Sequence, residues 1–241
     1  YLVSQFLSPL ANLRQDQWGG SIENRMRFVV EMVRAMRAAV GSRFPIGIKI
    51  NSADFQRGGF NEEDAVIVVK ALEAEGIDLI EISGGTYESA AMTGAQDALQ
   101  SGTDSPRAIA RGQQAVQTST AAREAYFLPF AEKIKKSLNI PLMLTGGFRS
   151  AAAMNQAIDS GAVDIVGIAR PLAMEPQLGG RLIADKNARI DLKPVKTGIS
   201  ALDRMGVLEI GYYSLQLKRI GEGKEPDKNL SPLLALPLLG L

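Results

Sequence analysis

The sequence predicts an α/β chain: a (β/α)8 barrel of the TIM type, of which roughly strands 5–8 and their helices are present. Three observations predict it. Strand and helix patterns alternate along most of the chain, the rhythm of right-handed crossovers and a parallel sheet. The strand over 45–51 puts small or polar residues on one face, whereas a strand of a doubly wound sheet is covered by helices on both faces and reads apolar on both. Two consecutive strands end in glycine- and arginine-containing runs, where barrels commonly hold a phosphate. Four strands are half of eight, so the complementary half is expected to lie outside this chain.

The elements follow in order. Residues 1–20 read as loop, punctuated by Pro9, Asn12, Asp16, Gly19 and Gly20. Ser21 is an N-cap with Glu23 in the first turn. Behind it Met26, Val29, Val30, Val33 and Met36 or Arg37 mark one buried helical face as far as Val40, with Gly41 as C-cap. Pro45–Asn51 is a strand with Ile46, Ile48 and Ile50 on one face and Gly47, Lys49 and Asn51 on the other. Asn61 caps a helix over 62–75 closed by Gly76, and Ile77–Ser83 is the next strand. Residues 84–122 form a long polar connection rich in Gly, Ala, Ser, Thr and Gln, of a length usual for lids or disordered segments. A helix over 123–138, a strand over 141–145, a helix over 150–160 ended by Gly161, and a strand over 163–168 complete the alternation. A mixed tail follows. The predicted domains are a half-barrel over 1–180 and a helical or irregular extension over 181–241 packing on it.

Composition excludes whole classes of chemistry. The 241 residues contain no cysteine and no histidine. Disulfides, thiolate metal sites, thiol nucleophiles, imidazole ligands and Ser-His-Asp sites are therefore impossible within the chain, and no clustered Asp/Glu motif suggests a metal. The 27 basic and 26 acidic residues leave a net charge of +1, which gives no footprint for nucleic acid. No apolar run reaches the roughly 18–20 residues of a membrane span. The apolar tail 230–241 carries Pro232 and Pro237 and is expected to dock on a surface. The beginning Tyr1-Leu2-Val3 shows no leader pattern and reads as if cut from something longer.

The chemistry-bearing residues sit at strand ends. In Thr145-Gly146-Gly147-Phe148-Arg149, a strand runs into a helix through glycines that let backbone N–H groups approach an anion. Ile168-Ala169-Arg170 ends the next strand, and an arginine suits a phosphate by charge and fork geometry. The competing reading is a tight turn and a surface arginine; two consecutive strand ends of this kind favour phosphate. Lys49 alternates toward the barrel interior, where a bare ammonium is costly. Its partner is either Glu81 on the neighbouring strand or an electron-rich cofactor, and the two do not exclude each other. Gly84-Gly85-Thr86-Tyr87 is a turn or a ligand-contacting loop. The charge-dense run from Asn12 to Arg25 reads as a structural loop with internal Arg–carboxylate pairs.

These residues carry a resemblance. Tyr1 to Pro9, Asn12, Arg14, Asp16, Gly19-Gly20-Ser21, Glu23-Asn24-Arg25 and Arg27-Phe28 closely resemble the signature of the old yellow enzyme family, the NAD(P)H:flavin oxidoreductases with FMN-binding (β/α)8 barrels. The resemblance continues through Gly47-Ile48-Lys49, Glu81 to Tyr87, Thr145 to Arg149 and Asp164 to Arg170, covering about residues 1–180. It implies FMN as cofactor and NAD(P)H as reductant. It implies that Lys49 is the basic residue beside flavin N1 and the C2 carbonyl, where a positive charge stabilises the reduced flavin. It implies that Gly146 and Gly147 donate backbone N–H groups to the FMN phosphate, and that Ala169 and Arg170 stand for a Gly-Arg pair that also holds it. Ala169 departs from that glycine, which is tolerable at negative φ. The family's substrate-binding histidines and its proton-donating tyrosine have no identifiable counterpart, so no catalytic residue is assigned; Tyr87, Tyr126, Tyr212 and Tyr213 match none of these roles.

Two functions follow as expectations. One is an FMN-dependent, ene-reductase-like oxidoreductase acting on a small-molecule substrate, cytoplasmic, with this chain carrying the FMN-phosphate half of the site. The other is a non-catalytic truncated half-barrel that binds phosphate or self-associates. Exposed edges on a four-stranded parallel sheet are a liability, so a homo-oligomer or association with the missing half is expected.

Overall fold

The computed structural model describes residues 2–54, 56–83, 128–203 and 207–240. The predicted connection 84–122, the start of the helix expected from 123, Gly84 to Tyr87 and Tyr126 lie outside them. Among the described residues the order is α1 (Leu2–Leu7), α2 (Ile22–Val40), β1 (Gly47–Asn51), α3 (Glu62–Ala74), β2 (Leu79–Ser83), α4 (Leu128–Lys135), β3 (Leu142–Thr145), α5 (Ala151–Asp159) and β4 (Ile165–Gly167). A 3-10 turn (Arg170–Ala173), α6 (Leu178–Ala184), α7 (Ser200–Asp203), α8 (Val207–Gly221) and a 3-10 helix (Pro232–Leu239) follow.

The helix boundaries are set by the caps read from the sequence. The Ser21 side chain accepts from the Asn24 N–H, and Gly41 leaves α2 at φ 79°. The Asn61 side chain accepts from the Asp64 N–H at 2.9 Å, and Gly76 at φ 82° ends the turn after α3. The first twenty residues depart from expectation, because Leu2–Leu7 is helical. No local cap signals this helix. Tertiary packing holds it: Phe6 stacks on Phe28 at 4.4 Å, and Leu7 is buried. Six residues cannot hold a helix alone.

The chain divides into two compact units. In the first, β1 to β4 form a parallel sheet in the order β1-β2-β3-β4, each strand beside its sequence neighbour. This is the (β/α) succession predicted, a partial barrel. The two sheet faces differ. Ile50, Ile80, Ile82, Leu142 and Leu144 point one way and are buried; each fully buried aliphatic side chain contributes about 1.5–3 kcal/mol. The opposite face carries Gly47, Lys49, Leu79, Glu81, Met143, Thr145 and Ile165 and stays partly exposed. Around the sheet α1 packs on α2, α2 on α3 and α4 on β3.

The second unit contains residues 148–155 and 168–240 among those described. There α8 packs against both the terminal 3-10 helix and the Arg170–Ala173 turn, so the apolar tail docks on a surface as expected. Gln216 is fully buried and satisfied at both ends of its amide: Nε2 donates to Asp227 O at 2.7 Å and Oε1 accepts from Asp227 N at 2.9 Å.

Candidate functional site at the strand ends

Parallel pairing aligns the carboxyl ends of the four strands at one edge of the first unit. Asn51 registers with Ser83, and Thr145 with Gly167. Lys49 registers with Glu81, and its Nζ donates to Glu81 Oε1 at 2.7 Å. The salt bridge read from alternation is therefore present. Lys49 lies on the sheet face opposite buried Ile50 and Ile80, as alternation predicts, and its side chain is 53% exposed. The ammonium keeps two N–H donors beyond the one given to Glu81.

At the same edge Gly146 and Gly147 leave β3 with φ of 121° and 82°. Both lie where side chains other than glycine are strained, and a Cβ built on Gly146 meets nothing within 4 Å. Neither backbone N–H has an acceptor among the described residues. Just before them the Thr145 hydroxyl is buried with no hydrogen-bond partner among the described residues, as is that of Ser52 just past β1. Thr145 Oγ1 packs so closely over Gly167 that any Cβ there would overlap it. The turn after β1 is fixed by buried Asp54, which accepts from Asn51 Nδ2 at 3.1 Å and Phe60 N at 2.8 Å.

Ala169 and Arg170 belong to the second unit. Ala169 has φ −124°, so alanine stands there without left-handed strain. Arg170 opens the 3-10 turn, and its Nη1 pairs with Glu209 Oε2 of α8 at 2.5 Å. Sequence reasoning missed Glu209, which lies 39 residues away and whose only local signal is its place in the first turn of a helix. Tyr212 and Tyr213 form a core cluster with Ala173 and meet edge to face at 5.4 Å. Burial pushes the Tyr213 phenol up, Glu209 adds to the rise, and Arg170 and Arg149 oppose it.

The signature run is tied into the fold by its own polar contacts. Arg14 pairs with Asp16, whose carboxyl is held below its usual value by that arginine and by the Trp18 N–H. Asn12 Nδ2 donates to Phe6 O at 2.8 Å and Trp18 O at 2.7 Å. Arg25 is buried and donates to Gly20 O, Leu7 O and Asp64 Oδ2.

Comparison with known proteins places the chain in a family. The family described as NADH:flavin oxidoreductase / NADH oxidase matches residues 1–188. The NADH-dependent flavin oxidoreductase nadA of Aspergillus parasiticus is 33% identical over 228 residues, 94% of this chain and 45% of that protein. The NADH-dependent flavin oxidoreductase iliE of Neonectria sp. is 38% identical over 179 residues, 74% of this chain and 22% of that protein. The chain thus spans less than half the length of either relative. Among solved structures, 2-naphthoyl-CoA reductase superposes with TM-score 0.63 at 28% identity, covering 76% of this chain and 24% of its own. The chain belongs to the NADH:flavin oxidoreductase / NADH oxidase family.

Proposed function

We propose that the chain is part of an FMN-dependent NAD(P)H oxidoreductase and carries the residues that grip the FMN phosphate and polarise the flavin ring. When bound, FMN supplies the redox chemistry, accepting a hydride from NAD(P)H and delivering one to an electron-poor alkene or similar small-molecule acceptor. The observation that carries the reading is the Gly146-Gly147 pair. Two positive-φ glycines at a strand's carboxyl end present two backbone donors without an acceptor among the described residues, and unpaired backbone donors of this kind suit an anion. The buried, unpartnered Thr145 hydroxyl beside them fits the same edge.

Each residue has a role derived from its chemistry. Gly146 and Gly147 donate to phosphate oxygens. Ala169 lends backbone, and Arg170 keeps Nε and Nη2 available after giving Nη1 to Glu209. Lys49, held by Glu81, directs its remaining ammonium donors to the electron-rich edge of the flavin ring, where a cation stabilises added negative charge. No acid for protonating the acceptor is assigned to this chain. The relatives nadA and iliE are NADH-dependent flavin oxidoreductases, which supports NADH as reductant for this chain as well. The proposal includes residues 1–180 as the FMN-binding half-barrel and 181–241 as its extension, a cytoplasmic location, and association with a complementary half or a second copy.

The test is anaerobic reduction. The FMN-loaded protein is mixed with NADH or NADPH while the flavin absorption near the visible maximum is followed. Bleaching at a saturable rate is expected. A bound flavin that neither nicotinamide bleaches contradicts the reading.

A further inference from the structure

Arg170 does not stand alone on its turn. The turn that it opens, Arg170–Ala173, is clamped by α8: Ala173, Tyr212 and Tyr213 are buried in one cluster, ringed by Met174, Leu192, Val195 and Leu230. Glu209 lies three and four residues before the two tyrosines, so all three share one face of the helix. The face that buries the turn therefore also presents a carboxylate to the arginine at its head. Glu209 Oε2 accepts from Arg170 Nη1 at 2.5 Å, and of the two side chains the carboxylate is the less exposed, 26% against 42%. Glu209 is the anchored partner and Arg170 the one reaching toward solvent.

The contact uses one edge of the guanidinium. Arg170 Nε and Nη2 have no acceptor among the described residues, and a guanidinium carries five N–H donors in a rigid fork. A free arginine has many rotamers, and a carboxylate contact on one edge restricts them in advance of any ligand.

The geometry points to Glu209 as a positioning residue that holds Arg170 by Nη1 and leaves its Nε and Nη2 edge directed at the cofactor phosphate. This rests on the reading of Arg170 as a phosphate-binding residue. Glu209 itself touches no ligand and acts through the arginine. The carboxylate is a holder and not a competitor, because it occupies a donor that a bidentate phosphate contact does not require.

The experiment compares FMN with riboflavin, which lacks the phosphate. Dissociation constants for both are measured by flavin fluorescence on the unaltered chain and on the variants Glu209→Ala, Glu209→Gln and Arg170→Ala, with urea midpoints recorded for each. The expected result is that Glu209→Ala weakens FMN about threefold to tenfold, the cost of ordering one long side chain. Riboflavin affinity and the urea midpoint are expected to stay nearly unchanged. Glu209→Gln, which retains an oxygen acceptor at the same place, keeps most of the affinity. Tighter FMN binding in both Glu209 variants makes the carboxylate a competitor and overturns the inference. So does an unchanged FMN-to-riboflavin ratio in Glu209→Ala beside a lost ratio in Arg170→Ala. If Arg170→Ala leaves the ratio unchanged, or the unaltered chain binds no FMN, the reading of Arg170 fails and the inference falls with it.

Discussion

Two regions of this chain are rich in arginine and carboxylate, and they use them in opposite ways. In the run from Asn12 to Arg25 the buried donors, Asn12 and Arg25, are used up inside the protein, while the Arg14–Asp16 pair stays exposed. Arg25 is buried and spends its guanidinium on Asp64 and two backbone carbonyls, and Asn12 ties together the carbonyls of Phe6 and Trp18. At the strand ends the donors are held but not exhausted. Lys49 and Arg170 each have one carboxylate partner, are about half exposed, and keep further N–H groups. The buried part of the motif that most resembles the family thus holds the fold together, and the residues proposed to meet the cofactor are ones whose hydrogen bonds the protein leaves unfinished.

The largest expected effect lies in the closed region. Arg25→Ala leaves Asp64 and two carbonyls without their donor, and breaking a buried pair costs about 3–5 kcal/mol; urea unfolding should show it, with the ratio of FMN to riboflavin affinity unaltered. Next comes the one crowded point among the strand ends. Gly167→Ala forces a Cβ into Thr145 Oγ1 and to within 2.6 Å of Met143 Cε, and overpacking of this kind costs about 1–3 kcal/mol in the same assay. Arg170→Ala reverses the pattern: stability changes by less than about 1 kcal/mol, as for an exposed ion pair. FMN affinity falls about tenfold or more, the weight of a charge-assisted hydrogen bond. An Arg170→Ala protein that unfolds easily and still prefers FMN to riboflavin would erase the distinction between the two regions.

The smallest effect is a pH dependence at the exposed Arg14–Asp16 pair of the signature run. Asp16 is held below the usual carboxylate value by Arg14 first and by the Trp18 N–H second. A folded-state value below the unfolded one, near about 4, means that the stabilisation is complete above that pH and fades as pH falls through the folded value. Asp16→Asn should therefore flatten the acid side of the stability profile and leave the neutral side little changed, as read from urea midpoints across the acid range.

The sequence shows these regions with unequal clarity, for physical reasons. Ser21 and Asn61 were legible as caps because capping is a contact within three residues. The Lys49–Glu81 pair was legible because side-chain alternation and adjacent parallel strands fix both partners. Alternation also placed Lys49 on the face opposite buried Ile50 and Ile80; it carries no information on how open that face is, and the side chain is 53% exposed. The helix Leu2–Leu7 was missed because a stack with Phe28 makes it, not its own six residues. Glu209 was missed because its link to Arg170 depends on how α8 packs against the turn after β4. No local pattern records that.

The most direct test of the central claim, that the strand ends and not the signature run form a cofactor-phosphate site, is an FMN titration of the chain followed by flavin fluorescence, with riboflavin as control. Saturable binding with a clear preference for FMN, retained at neutral pH in Asp16→Asn and lost in Arg170→Ala, is the predicted result. A folded chain that binds neither flavin, or binds both equally well, would contradict it.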